Sequence, residues 1–284
     1  MLKKLFKYIF PSIGGKYALL RSYWKHKTFK PQRVILPILN NPLYLNWNEP
    51  RGRAVILCDA LGQPEIKKFW LEAVQDFKPD IVIDCGVNYG EIIYYCDYPK
   101  STQIIGIEAD KSLMAFIEKS KEAHPNKSQI SLYNAFVSEK SDSEISFFVD
   151  KKWSGRSSAF ITERMNGSDV EERKVQTLSI DGLLGSQANG KRILFKIDVE
   201  GYEPYVLKGM TETIASCENA MGIIEFNSAF FIKSGLDISL FLKDLDRTFD
   251  ITLLEKLVQN EEIMEYLSQD NINTDLILSK KKLK

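Results

Sequence analysis

An acidic residue beside two glycines is the part of this sequence best suited to bind a ligand. Asp84 follows the apolar run 81–83 and precedes Gly86 and Gly90. The glycines permit a sharp turn and a close approach of a ligand to the backbone. A carboxylate here would repel the pyrophosphate of a dinucleotide but attract the sulfonium and ammonium groups of S-adenosylmethionine. The glycine spacing also differs from the dinucleotide pattern Gly-x-Gly-x-x-Gly, so we interpret the stretch as an S-adenosylmethionine site rather than a buried strand with an ordinary turn.

A second acid follows at the spacing expected of a strand–helix–strand unit. Glu108 ends an apolar run and lies 22 residues after Gly86. An acid about 20 residues beyond the glycines accepts hydrogen bonds from ribose hydroxyls in such units. We therefore predict that Glu108 holds a ribose; the alternative is a solvated strand end. The next predicted strand places Asn134, Ala135 and Phe136 near the adenine, although an aromatic side chain at that position is also common in a core.

A third group of polar residues suits the transfer of a methyl group. Four ionisable residues fall within eight positions at the end of the predicted strand 193–198. An acceptor hydroxyl is a poor nucleophile until it loses its proton, so a base or a metal ion is needed. We predict Asp198 as that base or metal ligand, with Glu200 and Glu225 as the next candidates, whereas Lys196 would hold one acid ionised. The alternative is an ion-pair network that fastens a strand to a helix.

Two features of the sequence bear on a metal ion. Asp198, Glu225 and Asn227 offer hard oxygen donors at adjacent strand ends, which suit Mg²⁺. The only histidines, His26 and His124, lie far apart, so no His/Cys metal cluster is expected. Mg²⁺ is therefore a further cofactor candidate beside S-adenosylmethionine.

The elements that must position these residues alternate between strands and helices. Short apolar runs predict strands, and residues 64–77 place their apolar side chains on one helical face. A helix is also expected to begin over residues 91–96 with its N-terminus toward the ligand, and Asp110 is expected to cap another. The polar segment 151–172 is either a flexible linker or an active-site loop. Predicted strands cover residues 81–84, 103–108, 130–137, 144–149, 174–178, 193–198, 221–226, 249–254 and 275–279, and predicted helices cover residues 64–77, 111–123 and a segment after Asp237.

The first part of the chain is basic. No acid precedes Glu49, and lysines and arginines are interleaved with apolar and aromatic residues over positions 1–33. This pattern suits an amphipathic helix on an anionic membrane surface, or a helix packed on the domain with solvated lysines. The prolines and glycines of residues 31–62 predict short strands or a hairpin. We therefore assign residues 1–62 to a basic N-terminal extension and residues 63–284 to the ligand-binding domain.

The charge, the apolar runs and the cysteines of the chain indicate which class of protein it belongs to. The chain has 284 residues with 38 basic and 38 acidic side chains, so its net charge gives no reason to expect a nucleic-acid partner. No apolar run is long enough to span a bilayer, and the N-terminus lacks a clean signal-peptide core. Four scattered cysteines are expected to be reduced thiols. These features predict a cytoplasmic protein, located at the inner face of the membrane if the basic extension binds lipid.

Two motifs resemble those of the FkbM-type methyltransferases. Asp84–Gly90 resembles the Asp-x-Gly-Ala-Asn-x-Gly motif of that family, and Lys196–Glu203 matches its Lys-Ile-Asp-x-Glu-Gly-x-Glu signature. Ile107–Asp110 is similar to the Phe-Glu-Pro-Asp that follows the first motif. The resemblance covers about residues 55–280 and implies a class I methyltransferase, with a Rossmann-like α/β fold and a mostly parallel seven-stranded sheet. It also adds Asn88 and Ala109 to the predicted cofactor-binding residues.

The resemblance implies an S-adenosylmethionine-dependent O-methyltransferase whose acceptor is a carbohydrate, often a sugar hydroxyl in a surface polysaccharide or glycoconjugate. Two other functions stay open. One is a non-catalytic, methyltransferase-like scaffold subunit of a glycan-assembly complex, although the intact acids Asp84, Glu108 and Asp198 argue against it. The other is an NAD-type oxidoreductase, against which Asp84 and the missing Gly-x-Gly-x-x-Gly argue. The acceptor, the hydroxyl position and the oligomeric state are left undetermined.

Overall fold

Runs of β-branched residues form the buried centre of the molecule, because such side chains pack well when both faces of a strand are covered. The computed structural model describes residues 21–161, 165, 169–254 and 260–281. Three central strands, β3, β4 and β9 below, are buried apart from the first residue of two of them. The strands are β1 (Arg33–Ile35), β2 (Pro42–Tyr44), β3 (Ile81–Cys85), β4 (Gln103–Ile107), β5 (Ile130–Tyr133), β6 (Phe136–Val137), β7 (Glu144–Asp150), β8 (Val170–Leu178), β9 (Arg192–Ile197), β10 (Asn219–Asn227), β11 (Phe249–Leu253) and β12 (Asn273–Lys280).

The main sheet has seven strands in the order β11-β12-β10-β9-β3-β4-β5. Strands β5, β4, β3, β9 and β10 run parallel, and β12 is antiparallel to both of its neighbours. The chain moves outward from β3 to β5 on one side and resumes at β9 on the other, so the strand order reverses between β3 and β9. An open parallel sheet binds its ligand beyond the carboxyl ends of its strands at such a reversal. The predicted mostly parallel seven-stranded sheet is confirmed.

A smaller sheet, in the order β6-β8-β7, corrects two predicted strands. The strand predicted over residues 130–137 is broken, because β5 ends at Tyr133 and β6 pairs with β8 instead. The strand predicted to begin at Lys174 begins at Val170 instead. The reason is that β8 pairs with the whole of β7, and Asp150 at the end of β7 lies opposite Val170. The segment 151–172 therefore contains strand, and also a 3₁₀ turn at Ser154–Arg156. Both differences arise from pairing between distant segments, which periodicity does not reveal.

Alternate side chains of β3 face two separate cores. Ile81 and Ile83 pack with the helices that follow residue 179, and Val82 packs with the helices that precede residue 123. The predicted helices 64–77, 111–123 and the one after Asp237 are confirmed, and Asp110 and Asp237 cap two of them. None of the described helices is long and apolar enough to cross a bilayer. The helices are α1 (Pro50–Leu57), α2 (Pro64–Asp76), α3 (Lys111–Glu122), α4 (Ile180–Leu184), α5 (Glu203–Lys208), α6 (Thr211–Ser216), α7 (Ser228–Ser234), α8 (Ile238–Thr248) and α9 (Asn260–Leu267).

The helix predicted over Glu91–Cys96 is wrong, since these residues form turns. The hydroxyl of Tyr98 donates to the carbonyl oxygen of Ile93 at 2.9 Å, and that oxygen is the acceptor that a continuing helix would use. The hydroxyl of Tyr94 donates to the carbonyl oxygen of Ile117 at 3.0 Å. Hydrogen bonds of two buried tyrosine hydroxyls, one local and one to a distant helix, therefore accompany the turns.

The N-terminal region contains the predicted hairpin and one helix that was not predicted. Strands β1 and β2 pair antiparallel, and α1 follows where only short strands were expected. Glu49 caps α1 through the amides of Arg51 and Gly52, and Pro50 occupies its first turn. Side chains of β1, β2 and α1 share a core with α2 and β3. Residues 21–26 are helical, but residues 27–33 form bends and the start of β1, so the helix predicted over residues 1–33 does not extend through them. Residues 1–20 lie outside the described residues, and the division at residues 62 and 63 stays a prediction.

Candidate active site

A buried lysine joins the two groups of acids that the sequence predicts. Asp84 and Lys196 are paired across the neighbouring strands β3 and β9. Lys196 Nζ lies 3.4 Å from Asp84 Oδ1 and 3.2 Å from Asp198 Oδ2, and it donates to the carbonyl oxygen of Gly86 at 3.3 Å. Asp198 follows Lys196 by two residues, so both side chains point to the same face of the sheet. Lys196 was predicted to pair with one acid, and it contacts two: Asp198, two positions along the chain, and Asp84, on a strand distant in sequence.

At Lys196, and likewise at Asp84, burial shifts the pKa in one direction and the nearby opposite charge shifts it in the other. Burial raises the pKa of Asp84 to about 6, although the charge of Lys196 partly lowers it. Burial alone lowers the pKa of Lys196, but the carboxylates of Asp198 and Asp84 raise it above its ordinary value. Lys196 therefore remains a cation at neutral pH, placed between two acids. Asp198 differs from both because 30% of its side chain is exposed.

Gly86 allows the loops after β3 and β9 to touch. Its φ is +82°, and a Cβ there would clash with the carbonyl oxygen of Asp198. Gly90 has a φ of +88°, and a Cβ there would clash with the ring of Tyr94. Both positions require glycine for the backbone conformation and for packing against protein atoms. The glycine motif thus shapes the loop and sets the position of Asp198 against it.

Glu108 fastens the glycine loop to the end of β4. Its Oε2 accepts from the amide of Asn88 and its Oε1 from the amide of Asp110, each at 2.7 Å. Burial raises the pKa of Glu108 to about 7, although these two amides partly lower it. A carboxylate oxygen offers more than one lone pair, so Glu108 can still accept bonds from a bound ligand.

Two buried oxygen atoms near this loop lack a hydrogen bond within the described part of the chain. They are Asn88 Oδ1 and Asp84 Oδ1, the latter near Lys196 but outside hydrogen-bonding geometry. Asn88 adopts a φ of +52°, and its Nδ2 donates to Ser154 Oγ at 3.3 Å. Unsatisfied buried acceptors are costly, and a ligand that carries donors or positive charge would satisfy them.

The residues predicted near an adenine separate into two groups. Asn134 is exposed, and its Nδ2 donates to the carbonyl oxygens of Glu108 and Ala109 at 2.8 and 3.1 Å. Phe136 is buried in an apolar cluster, 4.8 Å from the ring of Tyr202, and Ala109 packs against that cluster. The structure thus brings Ala109 and Asn134 to Glu108 and places Phe136 in a core, which is the alternative left open from the sequence. Ala135 is half-buried and packs against the larger core.

Three half-buried carboxylates meet at the carboxyl ends of β9 and β10. One oxygen each of Asp198, Glu200 and Glu225 lies within 4.8 Å of the others. The predicted metal donor Asn227 has another role, because its Oδ1 accepts from the amide of Ala229 and caps α7. Glu200 therefore replaces Asn227 among the three candidate metal ligands. Such a cluster can accept a proton from an acceptor or hold a divalent cation.

Several residues that shape the site were not singled out from the sequence as site residues. Glu203 Oε1 accepts from the amides of Val199 and Gly201, both at 3.1 Å, and so holds the loop that carries Glu200. Burial raises the pKa of Glu203 to about 7. Its position in the ionisable cluster was a signal that could have identified it.

Other missed contacts cross long distances in sequence. Ser158 Oγ donates to the carbonyl oxygen of Glu200 at 2.8 Å. Glu49 accepts from the amide of Ser154 at 3.1 Å and from the hydroxyl of Tyr89 at 3.0 Å. Glu49 and Ser154 lie 105 residues apart, so no local pattern could have paired them. These contacts place the segment after β7 beside both the glycine loop and Glu200.

Aromatic rings lie next to the acidic cluster. Tyr202 stacks on Tyr205 with centroids 4.3 Å apart, and Phe160 lies 5.7 Å from Tyr202. Gly201, beside Glu200 in the chain, packs so closely on the ring of Phe230 that a Cβ would clash with it. These four rings are half-buried and therefore present part of their surface to solvent.

Comparison with known proteins adds family information. A model of the methyltransferase FkbM domain matches residues 84–270, which include both motifs and the acidic cluster. The methyltransferase FkbM from Methylobacillus flagellatus KT is similar at 16% identity and a TM-score of 0.41, over 71% of this chain and 44% of that chain. This chain therefore spans less than half of that protein's length. No curated protein matches the chain.

Two further solved structures are similar over most of their length. The O-methyltransferase from Bacillus cereus in complex with SAH is 11% identical, with a TM-score of 0.44 over 78% of this chain and 82% of that chain. The O-methyltransferase TomG from Streptomyces achromogenes, in complex with SAM, is 10% identical, with a TM-score of 0.41 over 93% and 90% of the two chains.

Proposed function

Because this chain belongs to the FkbM methyltransferase family, we propose that it is an S-adenosylmethionine-dependent O-methyltransferase acting on a sugar hydroxyl in a surface polysaccharide or glycoconjugate. The observation that carries this proposal is the link from Asp84 through Lys196 to Asp198. This link joins Asp84, beside the glycine loop, to the cluster that contains Asp198, between the strands β3 and β9 where the strand order reverses. We call Asp84, Asn88 and Glu108 the cofactor side, and Asp198, Glu200 and Glu225 the acceptor side.

The cofactor side fits S-adenosylmethionine. When bound, this molecule supplies an electrophilic methyl group on a sulfonium. Asp84 and the amide oxygen of Asn88, which has no hydrogen-bond partner among the described residues, would face its positively charged groups. Glu108 would accept from the ribose hydroxyls. Asn134 and Ala109 would lie farther along the same edge, beyond Glu108.

The acceptor side suits removal of a proton. Asp198 is partly exposed and oriented by its 3.2 Å ion pair with Lys196, so it can contact both solvent and an acceptor hydroxyl. Glu200 and Glu225 would position the acceptor through neighbouring hydroxyls. The contacts of Ser158 and Glu203 hold the Glu200 loop in place.

The aromatic rings support a carbohydrate acceptor. Sugar rings present C–H surfaces that pack on aromatic faces, and their hydroxyls pair with carboxylates. Tyr202, Phe160 and Phe230 surround the loop of Glu200 and offer such faces. Sites for small ligands commonly combine aromatic walls with a few polar groups.

Mg²⁺ is the alternative means of activating the hydroxyl, and the meeting of three carboxylates favours its consideration. Metal dependence predicts loss of turnover in chelator and recovery with added Mg²⁺. A base mechanism through Asp198 predicts full turnover in chelator.

The proposal is tested in two steps with the purified chain. Calorimetric titration should show micromolar binding of S-adenosylmethionine and no binding of NAD. Incubation with S-adenosylmethionine and a panel of oligosaccharides should then add one methyl group to a sugar, detected by mass spectrometry. Binding of NAD alone would favour an oxidoreductase, and binding of neither would favour a scaffold subunit. Methylation of only non-sugar acceptors would overturn the carbohydrate assignment.

We also propose a cytoplasmic location. Cys58, Cys85, Cys96 and Cys217 are all free, as expected in a reducing compartment. Fractionation of cells that express the chain tests this assignment.

A further inference from the structure

Exposed apolar side chains are concentrated in one short stretch of the sequence near the N-terminus. Four of the eight large apolar side chains that are exposed in the described part of the chain lie between positions 24 and 38. They include Trp24, 69% exposed, and Phe29, 66% exposed, together with Ile35 and Ile38. Concentrated exposure of this kind marks an interaction surface more often than scattered exposure does.

Basic residues lie among these apolar side chains. Lys27, Lys30 and Arg33 are all exposed, and within the described ranges no carboxylate forms an ion pair with any of them. No acid occurs at any of positions 1–48, and the first one, Glu49, caps α1. We name Trp24, Lys27, Phe29, Lys30, Arg33, Ile35 and Ile38 the basic apolar face.

The protein holds this face outward by contacts on its inner side. Arg21 donates to the carbonyl oxygen of Leu57 at 2.8 Å, and Lys25 pairs with Asp59 at 2.7 Å. These two basic residues fasten the segment to the end of α1. On β1, Val34 is fully buried while its neighbours Arg33 and Ile35 point away from the core.

The aromatic side chains are also ordered by local contacts. Tyr23 stacks on Phe29 with centroids 4.2 Å apart, and Lys27 Nζ lies 5.2 Å from the ring of Trp24. Tryptophan next to lysine is typical of lipid interfaces, where an amphipathic ring lies at headgroup depth. Aromatic residues and arginine are common at protein–protein interfaces but lysine is depleted there, so Lys27 and Lys30 are the residues that favour a lipid surface over a protein partner.

We propose that the basic apolar face binds an anionic lipid surface, with Trp24 and Phe29 inserted at headgroup depth and the three cations near the lipid charges. The inference does not depend on the proposed methyl transfer. Each basic residue near an anionic surface strengthens binding by roughly fivefold, so the three cations together contribute a factor of about a hundred, to which the two aromatic rings add.

The test uses the full chain and sedimentation with vesicles of phosphatidylcholine, alone or mixed with phosphatidylglycerol. We expect binding to the anionic vesicles only. The triple variant K27E/K30E/R33E should lower the partition coefficient about a hundredfold or more, and W24A/F29A should lower it about tenfold. Melting temperatures check that each variant is folded.

Matched controls separate this face from net charge and general apolarity. K68E/K127E/K174E makes the same change in net charge at exposed positions elsewhere, and Leu240→Ala removes another exposed apolar side chain. Both should bind as the unchanged chain does.

Two outcomes would contradict the proposal. One is an equal loss of binding in the face variants and the control variants. The other is unchanged binding of the face variants, which would place the contact at other residues. The chain could instead fail to bind anionic vesicles but form a dimer that W24A/F29A disrupts. In that case the basic apolar face joins two copies of the chain, and the lipid proposal is wrong.

Discussion

The cofactor side and the acceptor side are both acidic, but the protein holds them differently. On the cofactor side, Asp84 and Glu108 are buried, and backbone amides fix both oxygens of Glu108. On the acceptor side, Asp198, Glu200 and Glu225 are half-buried and lie close together. The difference indicates two tasks. Rigid, desolvated acceptors suit binding of a ligand that is always the same, whereas partly exposed acids suit proton transfer with a variable acceptor.

Two contacts couple the sides. Lys196 pairs with Asp84 and with Asp198, and Gly86 lets the two loops touch at the carbonyl oxygen of Asp198. A change on one side can therefore be distinguished from a change in the coupling by measuring cofactor affinity, turnover and stability separately.

The largest expected effect is a loss of turnover that separates proton transfer from cofactor binding. Asp198→Asn should lower turnover by about 10²- to 10⁴-fold, because it removes the proposed base. Melting temperature and affinity for S-adenosylmethionine should change little, since Asp198 is partly exposed and Asp84 keeps its partner Lys196. Asp244→Asn, an exposed position on α8, is the control. A large loss of stability with unchanged turnover per folded molecule would make Asp198 structural.

The next effect tests the touching loops. Gly86→Ala should cost about 4 kcal/mol or more, because a Cβ collides with backbone as well as straining a positive φ. Gly235→Ala, also at positive φ but in open space, should cost only about 1–2 kcal/mol. Chemical denaturation gives both values. Equal costs would mean that the loops can separate without penalty.

Lys196→Met tests the central cation. Removing one partner of a buried ion pair typically costs about 3–5 kcal/mol. The loss should be larger at pH 8 than at pH 5, because the pKa of Asp84 is raised to about 6 and a protonated Asp84 needs no cation. The exposed Lys208→Met should change stability little, because an exposed ion pair contributes little. A loss independent of pH would show that Lys196 acts through packing alone.

The smallest effect is a pH dependence confined to the cofactor side. Burial raises the pKa of Glu108 to about 7, so lowering the pH below 7 protonates it and removes a hydrogen-bond acceptor. The dissociation constant for S-adenosylmethionine should rise by up to about tenfold per pH unit between pH 7 and pH 6, measured by calorimetry. Glu108→Gln should bind more weakly and lose most of this slope, and the remainder should come from Asp84, whose pKa burial raises to about 6. Glu203→Gln, which alters a buried acid in the Glu200 loop, should retain it.

Much of the site was predictable because its signals are local. An apolar run followed by an acid marks the end of a parallel strand, and such ends meet at one edge of the sheet. Asp84, Glu108 and Asp198 could therefore be placed together before any contact was known. The caps Asp110 and Asp237 and the helix over residues 64–77 depend on neighbouring residues for the same reason.

What the sequence alone determined was the alternation of strands and helices, the family motifs and the identity of the main acids. Only the tertiary structure decided that Asn227 caps α7 instead of joining the acceptor side, that residues 91–96 form turns, and that Glu49 holds Ser154. The last two involve partners distant in sequence, Ile117 for Tyr94 and Ser154 for Glu49. Because local propensity contributes little energy per residue, such a long-range contact overrides it and leaves no trace in the spacing of nearby residues.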